Sequence, residues 1–289
     1  MNPTTLAIPA TYMRGGTSKG VFMLLEDLPS ALREAGPDRD RLLLRLIGSP
    51  DPYAQHIDGM GGATSSTSKV VLISKSQRPD CDVDYLFGAV AIDKAVIDWS
   101  GNCGNLSAAV GPFAIHRGLL AVPDNGVVTV RIWQANIHKK IIAHVPIRHR
   151  QVEEMGDFEL DGVAFPAAEI KLEFLDPGAE SSEHGSDGDG SGNAMFPTGK
   201  MIDTLDIPGF GRLEATLINA GIPSVFVDAE SLGFSGFELQ KEVNHNAQVL
   251  HTCELIRAHA AVAMGLATSA EEVSKNRPHS PKLAFFAPP

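Results

Sequence analysis

Cys103 is the sharpest chemical candidate in the chain. It sits within Gly101-Asn102-Cys103-Gly104-Asn105, immediately before a stretch with helical spacing. Free amides at a helix start, together with the helix dipole, favour an anion, and the thiolate is the reactive form of cysteine. Gly101 and Gly104 would let backbone amides approach a ligand closely, and Asn102 and Asn105 offer side-chain donors. The competing reading is a small buried hydrophobe, the usual role of an unpaired cysteine. From spacing alone the two readings stand level.

Two hydroxyl-rich loops come next. Thr17-Ser18-Lys19 and Thr67-Ser68-Lys69 share one core, and each leads from a glycine pair, Gly15-Gly16 or Gly61-Gly62, into an apolar run. Such loops present amides and hydroxyls to an anion, and the lysine adds positive charge, which suits a carboxylate or a phosphate. Neither has the Gly-Lys-Ser/Thr order that precedes a helix in a Walker A loop. The bland reading is a pair of tight turns with solvated lysines.

No HExxH, no CxxC and no GxGxxG after a strand occurs, so no metal and no dinucleotide is expected. Asp187 to Gly192 opens like a calcium loop, but its twelfth position is Thr198 where a bidentate Glu is needed, so Glu180 to Asn193 reads as a flexible surface loop. His138, His144 and His149 read as surface residues in strand-rich surroundings. A cysteine and a lysine without a cofactor motif point to proton transfer, with a thiolate or neutral lysine as base and its protonated partner as acid. Abstraction beside a carboxylate needs donors aimed at the developing anion, which the glycine and hydroxyl loops can supply.

These groups need a scaffold. Strands are expected over Val21–Leu25, Val70–Ile73, Cys81–Tyr85, Val127–Trp133, Lys140–Ile147, Ile170–Phe174, Gly211–Asn219 and Val225–Asp228, with Met13 to Gly20 as a loop. A helix over Arg39–Ile47 would carry Asp38 as its cap and Leu42, Leu43 and Leu46 on one face. After Cys103, Leu106, Ala109, Val110, Phe113 and Ala114 recur at helical spacing among Ser, Ala and Gly, which marks a buried helix, with a kink or late break at Pro112. Ser235 and Glu238 form a capping-box pair opening a helical region to about Leu266. Lys282–Phe286 reads as a terminal strand with no partner in sight. Many short strands with one or two buried helices give an α+β protein, not a doubly wound sheet.

The chain has 289 residues, 43% hydrophobic, enough for a substantial core in one large or two middling domains. A formal charge of -11 argues against a nucleic-acid or anionic membrane partner. No secretory pattern and no apolar run near the ~20 residues of a membrane span is visible. Three widely spaced cysteines fit a reducing cytoplasm.

Tyr12 to Phe22, Asp58 to Lys69 and Gly101 to Pro112 resemble three signatures of the PrpF family, the 2-methylaconitate cis-trans isomerases. Phe196 to Lys200, Ile218 to Pro223, Ile256-Arg257-Ala258 and Pro281 to Pro289 are similar to its later motifs, so the likeness spans essentially the whole chain. It implies the diaminopimelate-epimerase-like fold: two similar domains, here 1–182 and 183–289, each a β-barrel-like sheet around a central helix. It implies Lys69 and Cys103 as acid and base, no cofactor, and substrate carboxylates held by Arg14, Thr17, Ser18, Gly61, Gly62, Thr64, Ser65, Ser66, Asn102, Gly104 and Asn105. The partner implied is a small di- or tricarboxylate, and the assembly a homodimer. Relatives act on methylitaconate or oxalomesaconate, so a keto-enol tautomerase is the second reading, and an accessory protein of an aconitase-like dehydratase the third. Family members continue beyond Pro289, so the second domain is expected to be incomplete. Lys200 replaces the family's usual Asn.

Overall fold

A computed structural model describes residues 6–178 and 195–288. The expected loop Glu180 to Asn193, with Asp187 to Gly192, and the expected boundary at 182 lie outside the described residues. The chain divides into two compact units, Met1–Leu175 and Asp176–Pro289. Among the described residues no helix is long and apolar enough to cross a membrane.

The first unit runs β1 (Thr11–Gly15), β2 (Ser18–Leu24), α1 (Pro37–Ile47), β3 (Lys69–Lys75), β4 (Val83–Val90), β5 (Ile97–Asp98), α2 (Gly104–His116), β6 (Asn125–Gln134), β7 (Lys139–Arg148), β8 (Gln151–Val152) and β9 (Lys171–Phe174). Its mixed sheet has the order β1-β2-β3-β4-β6-β7-β8, with β5 added to β4 and β9 to β7. The pairs β2–β3 and β4–β6 are parallel, the rest antiparallel. Because α2 touches β1 and β2 as well as β6, β7, β8 and β9, the sheet curls around it as a half-barrel.

Strand parity decides what each residue faces. Phe22, Val71, Ile73, Val83, Tyr85 and Phe87 point inward onto Leu106, Ala109, Val110 and Phe113 of α2. The alternate residues Val21, Met23, Val70 and Leu72 point outward, where Leu43 and Ile47 of α1 cover them. This part of the sheet is therefore buried on both faces, which explains its unbroken apolar runs. At Gly111 of α2 an added Cβ would stand 2.7 Å from Val145 Cγ2, so the helix and β7 are in close contact there.

Three expectations change. Met13 to Gly20 is not one loop: β1 and β2 form a hairpin whose two-residue turn, Gly16-Thr17, uses Gly16 at φ 51°. Helix α1 starts at Pro37 behind Gly36, with no side-chain cap, and Asp38 lies in its first turn. Pro112 lies inside α2, which continues to His116. The lost hydrogen bond is outweighed by a helix buried nearly all round. The strand expected over Cys81–Tyr85 begins at Val83 and runs on to Val90.

The second unit holds β10 (Asp203–Ile207), β11 (Gly211–Ala220), β12 (Ile222–Asp228), α3 (Gln240–Asn244), α4 (Ala247–Ala263), α5 (Ala270–Asn276) and β13 (Lys282–Phe286). The four strands form one sheet in the order β10-β11-β12-β13. The terminal strand has a partner after all, since β13 pairs in parallel with β12. Ile256 and Ala260 of α4, with Met264 just after it, pack on Leu205, Leu213, Leu217, Val225 and Val227, so this sheet also carries a helix, buried along its C-terminal half. Ser235 and Glu238 do hydrogen-bond, but the first helix after them begins only at Gln240, and Asn246 caps α4 by accepting from the Val249 N–H. Arg257 ties α4 to the approach to β13, donating to the carbonyls of Arg277 and Ser280 while Glu254 holds its other edge.

Candidate active site

Lys69 opens β3 on its inward face, two residues before Val71, and Cys103 stands one residue before α2 begins. The half-barrel brings the two side chains together. Lys69 Nζ donates to Cys103 Sγ at 3.3 Å, with Lys69 9% and Cys103 7% exposed. The ammonium end also lies 5.4 Å from the centre of the Phe87 ring, the next inward aromatic on β4. Among the described contacts of Lys69 there is no carboxylate. The pair is thus a proton donor and a polarisable sulfur, nearly dry and one hydrogen bond apart.

The twin Thr-Ser-Lys segments behave differently. Val21 pairs with Val70, which sets Lys19 opposite Ser68 and Gly20 opposite Lys69. The motifs are one residue out of phase, so Lys69 faces α2 while Lys19 faces outward and rests over the Tyr12 ring at 5.5 Å. For Lys19 the solvated-lysine reading holds. Gly20 leaves room for its neighbour, because a Cβ there would meet the Lys69 carbonyl oxygen at 3.2 Å and Leu106 Cδ1 at 3.0 Å.

The expected binding residues fall into two groups. Around the helix start, Ser18 is buried with its Oγ 3.9 Å from Cys103 Sγ. Asn105 Nδ2 donates to Thr17 Oγ1 at 3.0 Å, and exposed Arg14 donates to the Gly16 carbonyl at 2.8 Å. Asn102 is buried, and its Oδ1 has no partner. The first turn of α2, beginning at Gly104, receives no side-chain cap, so its amides remain free for an anion. A groove of about 720 Å³ reaches this helix start, bounded by Arg14, Gly16, Gly104 and Asn105.

The second group is the exposed turn ahead of β3. Thr64 Oγ1 shares hydrogen bonds with Ser66 Oγ at 3.2 Å and Thr67 Oγ1 at 2.7 Å, and Ser65 is exposed beside them. The Ser66 carbonyl accepts from the Lys19 N–H at 2.9 Å, which fastens this turn to the β1–β2 hairpin. Gly61 and Gly62 have a packing reason. A Cβ would stand 2.2 Å from His56 Nδ1 at Gly61 and 2.3 Å from Thr67 Oγ1 at Gly62.

Sequence reasoning missed three supports. Tyr85 is fully buried and its hydroxyl donates to the Cys103 carbonyl at 3.3 Å. Burial, and then the nearby Cys103, push that hydroxyl well above the usual tyrosine range. Phe87 lies against Lys69. Buried His56, at φ 52°, bonds Ser68 Oγ through Nδ1 at 3.1 Å, directly before Lys69. The alternation of β4 marks Tyr85 and Phe87 as inward, but nothing in it says what they reach.

A family model described as PrpF protein covers residues 5–289. A 2-methyl-aconitate isomerase of Shewanella oneidensis is 60% identical over 99% of this chain and 71% of its own length. A 4-oxalomesaconate tautomerase of Pseudomonas putida is 41% identical over 98% of this chain and 70% of its own. The crystal structure of a methylitaconate-delta-isomerase is similar at a TM-score of 0.65 and 36% identity, covering 96% of this chain and 67% of that one. The chain belongs to the PrpF family.

Proposed function

We propose that Lys69 and Cys103 together remove and return one proton on a small carbon skeleton bearing two or three carboxylates, with 2-methylaconitate as the first candidate. The protein is an isomerase, as its relatives are. The observation that carries the proposal is the buried 3.3 Å contact between Nζ and Sγ.

Loss of a proton from a carbon between a double bond and a carboxylate leaves an anion spread over both. The former double bond then has partial single-bond character and can rotate. Returning the proton to the same carbon gives the geometric isomer. Returning it to the far end shifts the double bond. One proton leaves and one arrives, so no redox partner is needed. Such acid–base catalysis contributes about 10²–10⁴-fold. The anion needs fixed donors, and the uncapped α2 start, Asn102, Asn105, Thr17 and Ser18 cluster where they can serve. Arg14 and the Thr64-Ser65-Ser66 turn would hold remote carboxylates, offsetting the net charge of -11. Three free cysteines among the described residues fit the cytoplasm.

The test is isomerisation of 2-methylaconitate and of 4-oxalomesaconate by the wild type, Lys69→Ala and Cys103→Ser. Turnover by the wild type and its loss in both variants is expected. A folded wild type inert on both substrates sinks the reaction, and variants as active as wild type sink the pair.

A further inference from the structure

We propose that Tyr85, with Ser107, is a positioning residue: the two hydroxyls clamp the Cys103 carbonyl and so fix the direction of its sulfur toward Lys69. The proposal rests on the reading of Lys69 and Cys103 as the reacting pair.

One carbonyl oxygen, that of Cys103, takes three donors. The Ser107 N–H at 3.1 Å is the ordinary first bond of a helix. The Ser107 hydroxyl at 3.0 Å and the Tyr85 hydroxyl at 3.3 Å are additional. Cys103 itself is extended, at φ -116° and ψ 98°, and no side chain caps the helix it precedes. Apart from Ser107, the grip on its peptide comes from the sheet, through Tyr85.

The surroundings of Tyr85 do not by themselves call for a hydroxyl. Its cluster is apolar, with Phe22, Ile73, Phe113 and Ile132, and a phenylalanine would fill the same space. A buried tyrosine hydroxyl is costly unless it finds a partner, and here the partner is the peptide of Cys103. The ladder adds a second point. Tyr85 pairs with Ile73, Phe87 with Val71 and Ala89 with Lys69. Two consecutive inward residues of one strand therefore support both members of the pair, Phe87 at the Lys69 ammonium and Tyr85 at the Cys103 peptide. Its raised pKa keeps Tyr85 a donor well past neutral pH.

The test is Tyr85→Phe, read in two ways. The first is the split between kcat and KM with 2-methylaconitate. Loss of one hydrogen bond to the Cys103 carbonyl is expected to lower kcat about three- to tenfold, with KM within about twofold. The second needs no turnover: the pH profile of Cys103 alkylation by iodoacetamide, resolved by peptide mass spectrometry, is expected to move away from that of the wild type. Burial raises the pKa of the Cys81 and Cys253 thiols, and their peptides are read separately. A Tyr85→Phe protein with wild-type kcat and wild-type alkylation profile overturns the proposal, even if its melting temperature falls. A wild type without isomerase activity defeats the proposed reaction, while the alkylation profile still decides about Tyr85. Should Tyr85→Phe fail to fold, Ser107→Ala removes the other hydroxyl from the same carbonyl and carries the same expectations. Wild-type behaviour there overturns the clamp.

Discussion

Replacing Gly15 by Ala tests whether the hairpin sets the geometry of the helix start. A Cβ at Gly15 would stand 2.5 Å from the Asn105 carbonyl oxygen, 2.9 Å from Leu106 Cα and 3.3 Å from Ala109 Cβ. The first two are helix backbone and cannot rotate aside. Reaching an ordinary contact of 3.4 Å from 2.5 Å requires 3.4 − 2.5 = 0.9 Å of separation. The end of β1 must therefore move away from the first turn of α2. Overpacking of this kind costs about 1–3 kcal/mol. The same shift parts Ser18 from Cys103 and strains the Asn105–Thr17 bond. Misplacement by about 1 Å can lower a rate ~100-fold. Gly15→Ala is therefore expected to lose about 1–3 kcal/mol in urea unfolding and ten- to a hundredfold in kcat. Gly104→Ala is the matched comparison, since its Cβ would meet only Phe174 Cζ, at 3.7 Å. It should fold at least as stably as wild type, gaining up to ~1 kcal/mol from helix propensity. A Gly15→Ala protein within about 0.5 kcal/mol and twofold in kcat of the wild type would refute the hairpin's role.

Gly104→Ala is also expected to raise KM while leaving stability intact, because the added methyl crowds the uncapped helix start; an unchanged KM would remove that start from the binding surface. Arg257→Ala should cost about 1–3 kcal/mol, since it removes the donor to the Arg277 carbonyl and to the buried Ser280 carbonyl, and thermal unfolding checks this. The N–H groups of Gln55, then Tyr53 and His56, hold Asp51 below the usual carboxylate range. Its folded pKa is depressed, so its contribution is present above the ordinary carboxylate value and is lost as pH falls through the folded one. Asp51→Asn should therefore melt below wild type at pH 7, with the gap closing in acid; a gap independent of pH would contradict this.

Much of the site was legible because its chemistry is local. The glycines and asparagines around Cys103, and the apolar spacing after it, identify a buried helix with a thiol at its start. Pairing was not legible. Nothing within Thr17-Ser18-Lys19 or Thr67-Ser68-Lys69 tells which lysine faces the helix, because the one-residue offset lies in the β2–β3 register. The Met13 to Gly20 stretch reads as a loop because its glycines mark a turn, yet the turn is only Gly16-Thr17 and the flanks are strand. Strand β10 and helix α5 carry local signals of their own. Asp203–Ile207 alternates with every odd residue buried, and Ser269 with Glu272 is a genuine capping pair. For Tyr85 no local signal exists, since its partner is a backbone atom from another element.

As proposed, Lys69 and Cys103 act as one unit in moving a proton. The most direct measurement is kcat for Lys69→Ala, Cys103→Ser and the double variant, on whichever substrate the wild type turns over. Members of a single proton-transfer unit are strongly non-additive. The double variant is expected to lose no more than about threefold beyond the worse single variant, each single having lost about 10²-fold or more. Losses that multiply in the double variant, or either single variant at wild-type kcat, would contradict it.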